Sequence, residues 1–318
     1  MPKMSIVIPV YYNAENLPPL YADIKQKILD VVDFDVEIIM VDDGSGDDSY
    51  RVMLSLAMRD RRIRIFKLSR NFGSDAAVLC GLMQSTGDCA VVKAADLQEP
   101  TEMLLEMYEK WREGCNVVLA VREGREESRA QEFFADLYYG MTRRFALPNM
   151  PQKGFDVFLV DRRVIEVLGR MSEPNSALDG QLLWAGFQTG TVPYIRRERK
   201  IGKSRWTLKK KVRLVMDTLF SFSTVPITCV TGLGALSVAG SLLWALDALI
   251  SKLTGRIEVT GWTMMFIFQL LSFGVIMLTL GLLGAYLWRT FDASRRRPPF
   301  LIEIADGQRA QGRDKEIA

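Results

Sequence analysis

Residues 36–45 read VEIIMVDDGS, and this stretch contains the pattern that decides the fold. The run VEIIMV is short and almost wholly apolar, and the Asp-Asp-Gly-Ser segment that follows it consists of residues common in turns. An apolar run of this length bounded by a turn is typical of a strand that is buried on both faces, as in a parallel sheet. Taken alone, the Asp-Asp-Gly-Ser segment is equally consistent with a simple turn that caps the next helix.

The same pattern recurs through residues 1–121. The apolar runs, in chain order, are SIVIPV, VEIIMV, IRIFKL, CAVVKA and NVVLAV. Helices are predicted between them, from about Leu17, Asp47, Ser74 and Thr101. Strands that alternate with helices at this spacing predict parallel β-α-β units, and therefore an α/β fold with a mostly parallel sheet.

Polar and charged side chains follow each run, where a parallel sheet binds its ligands. The candidates among these following residues are Pro9, Tyr11, Asn13, Asp43, Asp96, Gln98, Arg122 and Arg125. Neither GxxxxGK[ST] nor GxGxxG occurs, which argues against a P-loop ATPase or a dinucleotide oxidoreductase. The chain has no histidine, so Ser-His-Asp and Cys-His nucleophile pairs are excluded and acid-base chemistry falls to carboxylates.

Basic residues are concentrated in the carboxy-terminal third. Residues 1–195 hold 22 Lys and Arg against 29 Asp and Glu, whereas residues 196–318 hold 19 against 9. Such a segment needs an anionic neighbour, either phospholipid or nucleic acid. Two long apolar stretches, residues 225–250 and 262–288, each exceed the roughly 20 residues that cross a membrane. We therefore expect a membrane and no nucleic acid partner.

Basic flanks on both sides of these stretches place the two termini in the cytoplasm. The predicted organisation is a cytosolic α/β domain (1–205), an amphipathic juxtamembrane helix (206–224), two transmembrane helices (225–250 and 262–288) joined by an extracytoplasmic loop (251–261), and a cytosolic basic tail (289–318). The polar end of the tail, from Ala305, is expected to be disordered. Small residues such as Gly281 and Gly284 in the second transmembrane helix favour a homo-oligomer.

The segments SIVIPVYYNAENL, EIIMVDDGSGD, LSRNFGSDAAVLCGL, ADLQEP, GFDVFLVDRRVIEVL and RKIGKSRW, in this order and followed by two spans, resemble the family 2 glycosyltransferases of GT-A fold. Over roughly residues 4–302, the chain is similar to their polyprenyl-phosphate group. This resemblance implies an inverting glycosyltransferase of the bacterial inner membrane, with its catalytic domain in the cytoplasm. It would move a sugar from a nucleotide-sugar, with UDP expected, to undecaprenyl phosphate for modification of a cell-surface glycan or lipid.

The resemblance also implies roles for individual residues. Donor-binding positions are Pro9, Tyr11, Asn13, Asp43, Ala95, Asp96, Gln98 and Arg122, and those near the diphosphate or the lipid phosphate are Arg125, Arg199 and Arg205. Asp96 and Gln98 would coordinate Mg²⁺ or Mn²⁺, and Asp156 would be the catalytic carboxylate. Oxygen ligands suit a hard cation, and a guanidinium can bind phosphate oxygens in pairs.

The chain departs from the family pattern at three positions. Ala94 stands where the family's DxD motif has its first Asp, Phe158 where an Arg is usual, and Ala285 where a Glu is usual. With one carboxylate, a metal would be held by Asp96, donor phosphates and water. Two alternatives remain open: a GDP-mannose-dependent enzyme with the same type of acceptor, and a membrane-anchored nucleotide-sugar-binding protein without catalysis. A processive polysaccharide synthase is disfavoured because two spans are too few for a polymer channel.

Overall fold

The computed structural model describes residues 2–124, 139–171, 176–197, 217–218, 220–254 and 262–309. Within these ranges the chain forms one nine-stranded sheet covered by helices. The strands are β1 (Met4–Val10), β2 (Val36–Asp42), β3 (Ile63–Leu68), β4 (Cys89–Val92), β5 (Val117–Gly124), β6 (Val157–Asp161), β7 (Thr189–Ile195), β8 (Ile302–Ala305) and β9 (Gln308–Arg309). The helices are α1 (Leu17–Ile24, continued by a π-helical turn, Lys25–Leu29), α2 (Ser49–Arg59), α3 (Ser74–Gln84), α4 (Met103–Arg112), α5 (Arg162–Arg170), α6 (Leu178–Trp184), α7 (Val225–Leu253) and α8 (Trp262–Ser294).

The sheet is mixed but mostly parallel. Its spatial order is β7-β5-β6-β4-β1-β2-β3-β8-β9. Strands β4, β1, β2 and β3 are parallel neighbours, and β7 is parallel to β5. Strand β6 lies between β4 and β5 and is antiparallel to both, so β5 keeps the direction of β4. The predicted α/β class with a mostly parallel sheet is confirmed, and the inserted antiparallel strand is a feature that the strand-helix alternation did not indicate.

The surroundings of strand β2 explain why its central residues, 38–41, are all apolar. Ile38 and Met40 point to one hydrophobic core, while Ile39 and Val41 point to the other, because successive side chains of a strand face opposite sides. Helices α1, α2 and α4 cover the first face, and α3, α5 and α6 cover the second. Every residue of β2 is buried, so polar side chains can reach solvent only beyond its ends.

Helices α7 and α8 present apolar side chains outward. Their windows Val225–Trp244 and Phe268–Ser294 have mean hydropathies of 1.6 and 2.1, and no residue in either window is buried inside the molecule. Among the described residues, these are the two helices long and apolar enough to cross a membrane by length and composition. Helix α8 continues past the predicted end at residue 288, and most of the predicted juxtamembrane helix 206–224 lies outside the described residues.

The chain returns to the sheet after α8. Strand β8 is antiparallel to β3, the Ser69 N–H donates to the Leu301 carbonyl at 2.9 Å, and the Asp306 N–H donates to the Ile65 carbonyl at 2.7 Å. Phe300 is 7% exposed and joins the second core. The expectation of disorder from Ala305 is therefore wrong for residues 305–309, because β8 and its turn satisfy backbone groups that β3 would otherwise leave open at the sheet edge.

Phe300→Ala tests this docking. Removing a buried aromatic ring leaves a cavity, and the free energy of unfolding is expected to fall by about 3 kcal/mol. The control is Leu301→Ala, because Leu301 is 43% exposed and should lose much less. Unfolding of the detergent-solubilised protein, followed by tryptophan fluorescence, measures the difference. Equal stability of the two variants would show that the returning segment adds nothing to the core.

Candidate active site

The loops after β1, β2 and β3 are joined by short contacts. The Tyr12 N–H donates to Ser45 Oγ at 3.0 Å. Gly44 has a φ of +67°, and a Cβ at this position would lie 2.6 Å from the carbonyl carbon of Arg70. Only glycine allows both this backbone conformation and this close approach. The turn in DDGS therefore brings the ends of three neighbouring strands together at one edge.

Asp43 fixes the third of these loops. Its Oδ1 accepts from the Phe72 N–H at 2.7 Å, and its Oδ2 accepts from the Gly73 N–H at 3.0 Å. Burial raises the pKa of this carboxyl group, and the two backbone donors oppose that rise. Asp43 is 3% exposed, so its first role in the structure is to hold residues 72–73 in place. Its predicted contact with a nucleotide stays a prediction.

The other predicted nucleotide-binding residues lie at the same edge. Pro9 is in β1 opposite Val41, and Ala95 is buried at the start of the loop after β4. The ring of Tyr11 meets the ring of Tyr12 edge-on, with centroids 4.8 Å apart. The Asn13 side chain donates to the Tyr11 carbonyl at 3.1 Å, which fixes the loop after β1. Their donor contacts are untested by the structure and remain predictions.

Asp96 and Gln98 belong to a tight turn after β4. Asp96 Oδ1 accepts from the Gln98 N–H at 3.3 Å, and Leu97 between them has a φ of +60°. The Gln98 Oε1 accepts from Arg196 Nη2 at 2.7 Å. The Gln98 Nε2 donates to the Arg197 carbonyl at 3.2 Å, and the Arg197 N–H donates to the Gln98 carbonyl at 2.8 Å. Gln98 therefore joins this turn to the segment that follows β7.

A buried ammonium group lies beneath the turn. Lys93 is fully buried, and its Nζ donates to the Glu99 carbonyl at 2.9 Å. Burial lowers the pKa of Lys93 and raises the pKa of Glu99, while the opposite charges of the two groups oppose both shifts. Within the described part of the chain, Glu99 Oε2 has no hydrogen-bond partner. The two side chains thus place one positive and one acidic group under Asp96.

Asp156 is held by two side chains. Arg122 donates from Nε and Nη2 to the two carboxyl oxygens, and Tyr194 Oη donates to Oδ2 at 2.7 Å. Burial acts to raise the pKa of Asp156, but the hydrogen bonds and charge of Arg122 outweigh it and hold that pKa below its ordinary value. The Asp156 side chain is still 30% exposed. The result is an ionised carboxylate that a substrate can reach.

The strand directions explain why Arg122, Tyr194 and Asp156 come together. Arg122 and Tyr194 are register partners near the carboxyl ends of β5 and β7, which are parallel. Asp156 directly precedes β6, and because β6 is antiparallel its beginning lies at the same edge. Sequence reasoning named Asp156 and Arg122 separately and missed Tyr194 and Arg196. The alternation of Val192, Tyr194 and Arg196 along VPYIRR was a period-2 signal that these side chains share a face.

The residues around Asp96 do not fit a metal site built from protein side chains. Ala94 offers only a methyl group, and the Gln98 oxygen predicted as a ligand accepts from the Arg196 guanidinium. Across the described ranges, no group of three or more Asp, Glu or Cys side chains is placed to hold a cation. A cation on the Gln98 oxygen would lie beside a second positive charge, and the role of Gln98 as a ligand stays a prediction. Arg125, Arg199 and Arg205, predicted at the diphosphate or lipid phosphate, lie outside the described residues.

Comparison with known proteins adds family membership to this geometry. Residues 5–169 match Glycosyl transferase family 2. The chain belongs to this family. It is 34% identical over 304 residues to the uncharacterized glycosyltransferase YkcC of Bacillus subtilis (95% of this chain and 94% of that protein), and 31% identical over 302 residues to the bactoprenol glucosyl transferase of Shigella phage SfX (95% and 99%).

A solved structure supports the GT-A-like fold of this family 2 glycosyltransferase. Glucosyl-3-phosphoglycerate synthase from Mycobacterium tuberculosis, in complex with Mn²⁺, UDP-glucose and phosphoglyceric acid, aligns with a TM-score of 0.50. The alignment covers 69% of this chain and 79% of that protein at 14% identity, so it carries the fold alone. The chain is thus a glycosyltransferase, and its strand-end loops and Asp156 lie at one edge of the sheet.

Tyr194→Phe tests the state of Asp156. The Tyr194 hydrogen bond helps to lower the pKa of Asp156, so its loss should raise that pKa. The control is Tyr21→Phe, which removes a similar hydrogen bond to Asp60 far from the site. A carbon-13 NMR titration of the protein with labelled Asp side chains, with Asp156→Asn to assign the signal, makes the comparison. An Asp156 pKa unchanged in Tyr194→Phe would contradict the role given to this hydrogen bond.

Proposed function

We propose that this glycosyltransferase transfers a sugar from a nucleotide-sugar, UDP-linked, to undecaprenyl phosphate at a membrane surface, with inversion at the anomeric carbon. The observation that carries the proposal is the physical link between the catalytic domain and the apolar helices. The Phe222 ring lies against Gly180 of α6 and packs on the second core, and α7 begins three residues further on, at Val225. Bactoprenol glucosyl transferases among the relatives support a polyprenyl phosphate as the acceptor.

The acceptor's chemistry suits this site. A phosphate monoester has a second pKa of about 6, so near neutral pH it is largely ionised and needs little activation. One of its oxygens forms a bond to the anomeric carbon while the bond from that carbon to the nucleoside diphosphate breaks, and the electron pair leaves on the diphosphate oxygen. The enzyme then has to hold the two reactants in line and stabilise the charges that develop.

Asp156 would stabilise the positive charge that develops on the sugar, or accept the remaining proton of the acceptor. Its pKa lies below the ordinary value, so it is ionised at neutral pH. Both carboxyl oxygens are engaged by Arg122 or Tyr194, which makes Asp156 a poor covalent nucleophile. This favours a single displacement, and therefore inversion, over a two-step reaction through a sugar-enzyme intermediate.

The structure around the apolar helices supports a two-span membrane protein. Arg289, near the end of α8, forms an ion pair with Asp217 at 2.6 Å and donates to Ser221 Oγ at 3.2 Å. The start of α7 and the end of α8 therefore meet on the side of the catalytic domain. Together with the basic flanks, this favours the bacterial inner membrane with both termini in the cytoplasm. Gly281 and Gly284 have open space beside them, which suits close packing of a second copy and supports a homo-oligomer.

Two alternative functions are tested beside this one. The first is a GDP-mannose-dependent enzyme with the same type of acceptor. A binding protein without catalysis is favoured by Ala94, which removes a carboxylate that the family pattern provides. A panel of donors that includes both UDP-sugars and GDP-mannose separates these readings.

The proposal is tested with membranes that contain the protein, undecaprenyl phosphate and radiolabelled nucleotide-sugars. Lipid-linked sugar is expected with a UDP-sugar, and Asp156→Asn should lower the rate by about 10² or more, because an ionised catalytic group is lost. The control is Glu166→Gln on the exposed face of α5, which should keep the wild-type rate.

Nucleotide binding without lipid-linked product from any donor would contradict the enzyme proposal and favour the binding protein. Product formed only from GDP-mannose would replace the donor and keep the acceptor. Full activity of Asp156→Asn would remove the role given to that carboxylate.

A further inference from the structure

We propose that Arg196 supplies the positive charge that meets the donor's diphosphate, in place of a divalent cation held by protein side chains. Gln98 acts as the positioning residue that aims the Arg196 guanidinium. The inference rests on the proposed function, which provides the nucleotide-sugar donor, and it specifies how the donor's charge is neutralised.

The first support is the donor set of the turn after β4. A methyl group at Ala94 leaves Asp96 as the one carboxylate in the ADLQ segment. The side-chain oxygen of Gln98 points at a guanidinium nitrogen 2.7 Å away. A divalent ion that used this oxygen would have to displace Arg196 or lie beside its charge. The turn is therefore built to receive an arginine rather than a metal.

The second support is that the Arg196 guanidinium is only partly satisfied. A guanidinium carries five N–H donors, and Arg196 uses Nη2 on Gln98. Its Nε is buried and has no hydrogen-bond partner in the described part of the chain. A buried donor left without an acceptor is costly, and a phosphate oxygen is an acceptor that matches the planar fork of Arg. The unpaired Nε thus indicates an anionic ligand at this point.

The third support is the engagement of the neighbouring arginine. Arg122 gives Nε and Nη2 to the carboxylate of Asp156, so two of its donor groups are committed to that side chain. Arg196 lies close enough to both groups for its charge to act on Asp156 as well. It therefore stands between the catalytic carboxylate and the Asp96 turn, where a sugar diphosphate would span the two.

The fourth support is the charge beneath the turn. Lys93 places an ammonium group under Asp96, and its Nζ is fixed by the Glu99 carbonyl at 2.9 Å. Glu99 offsets the charge of Lys93 there, so the change in the turn itself is the missing carboxylate at Ala94, which weakens its attraction for a divalent cation and favours a diphosphate.

Binding of UDP to the full-length protein in detergent, measured by calorimetry in EDTA and again in MnCl₂, tests the inference. The dissociation constant should agree within about twofold between the two conditions, and Arg196→Gln should weaken UDP binding about tenfold or more in both, as expected for a lost charged hydrogen bond. Arg197→Gln is the matched control, because that neighbouring side chain contacts Glu102 at the surface and should keep UDP affinity within about twofold.

Gln98→Leu separates two roles of the Gln98 amide, a metal ligand and a positioning residue for Arg196. It also gives a second variant to measure if Arg196→Gln does not fold. As a positioning residue, Gln98 is expected to affect UDP binding equally with EDTA and with Mn²⁺, and Arg196→Lys should restore part of the affinity. A Gln98→Leu defect that appears only with Mn²⁺ would overturn the inference. UDP binding that is lost in EDTA and restored by Mn²⁺, with Arg196→Gln like the wild type, would overturn it and leave the proposed function intact. If neither UDP nor GDP bound in either condition, the proposed function would fail together with it.

Discussion

Burial of the central sheet on both faces is the constraint on which the rest of this structure depends. A strand such as β2 sends alternate side chains into two separate cores, so it cannot hold a charge in its interior without a partner. Charged and polar residues are therefore confined to strand ends, and parallel neighbours collect those ends at one edge. The turn at DDGS, the Asp96 turn and Arg122 share an edge for this reason. The antiparallel strand β6 extends the rule, because the residue before it, Asp156, reaches the same edge from the opposite direction.

The charges at that edge are organised as pairs. Arg122 and Asp156 are largely shielded from water, and removal of one partner from such a pair leaves an uncompensated charge that typically costs 3–5 kcal/mol, roughly. The same interaction keeps Asp156 ionised, so stability and chemistry depend on one contact. Arg196 differs because its acceptor from the protein is an uncharged amide, Gln98. A guanidinium whose hydrogen-bond acceptor is an uncharged amide, and whose buried Nε has no acceptor among the described residues, favours a ligand that brings its own negative charge.

How much of the structure could be predicted from the sequence depends on how far apart in the chain the interacting residues lie. Alternation of apolar runs with helices predicted the α/β class and the five leading strands, because burial on two faces leaves a local signature. Asp156 was also singled out, because the GFDVF segment resembles a motif of the family. Long-range pairings left no such signature: β8 returning to β3, the insertion of β6, and the contact of Gln98 with Arg196 join residues distant in the chain. Gln98 was predicted as a metal ligand from its residue type alone, and no signal in the sequence indicated that its oxygen accepts from Arg196.

The return of the chain from α8 to the sheet constrains how the molecule can meet a membrane. Two contacts hold the start of α7 and the end of α8 at the catalytic domain. They are the ion pair of Arg289 with Asp217, and the pairing of β8 with β3 after a short link. If α7 and α8 cross a bilayer, α7 begins and α8 ends on the side of the sheet, so the domain cannot move far from the lipid surface. A lipid acceptor keeps its hydrocarbon tail in the bilayer and its phosphate at the interface. Only a site on a domain tied to that level, as the α/β domain is through Phe222 and Gly180, can meet the phosphate without pulling the lipid out of the membrane.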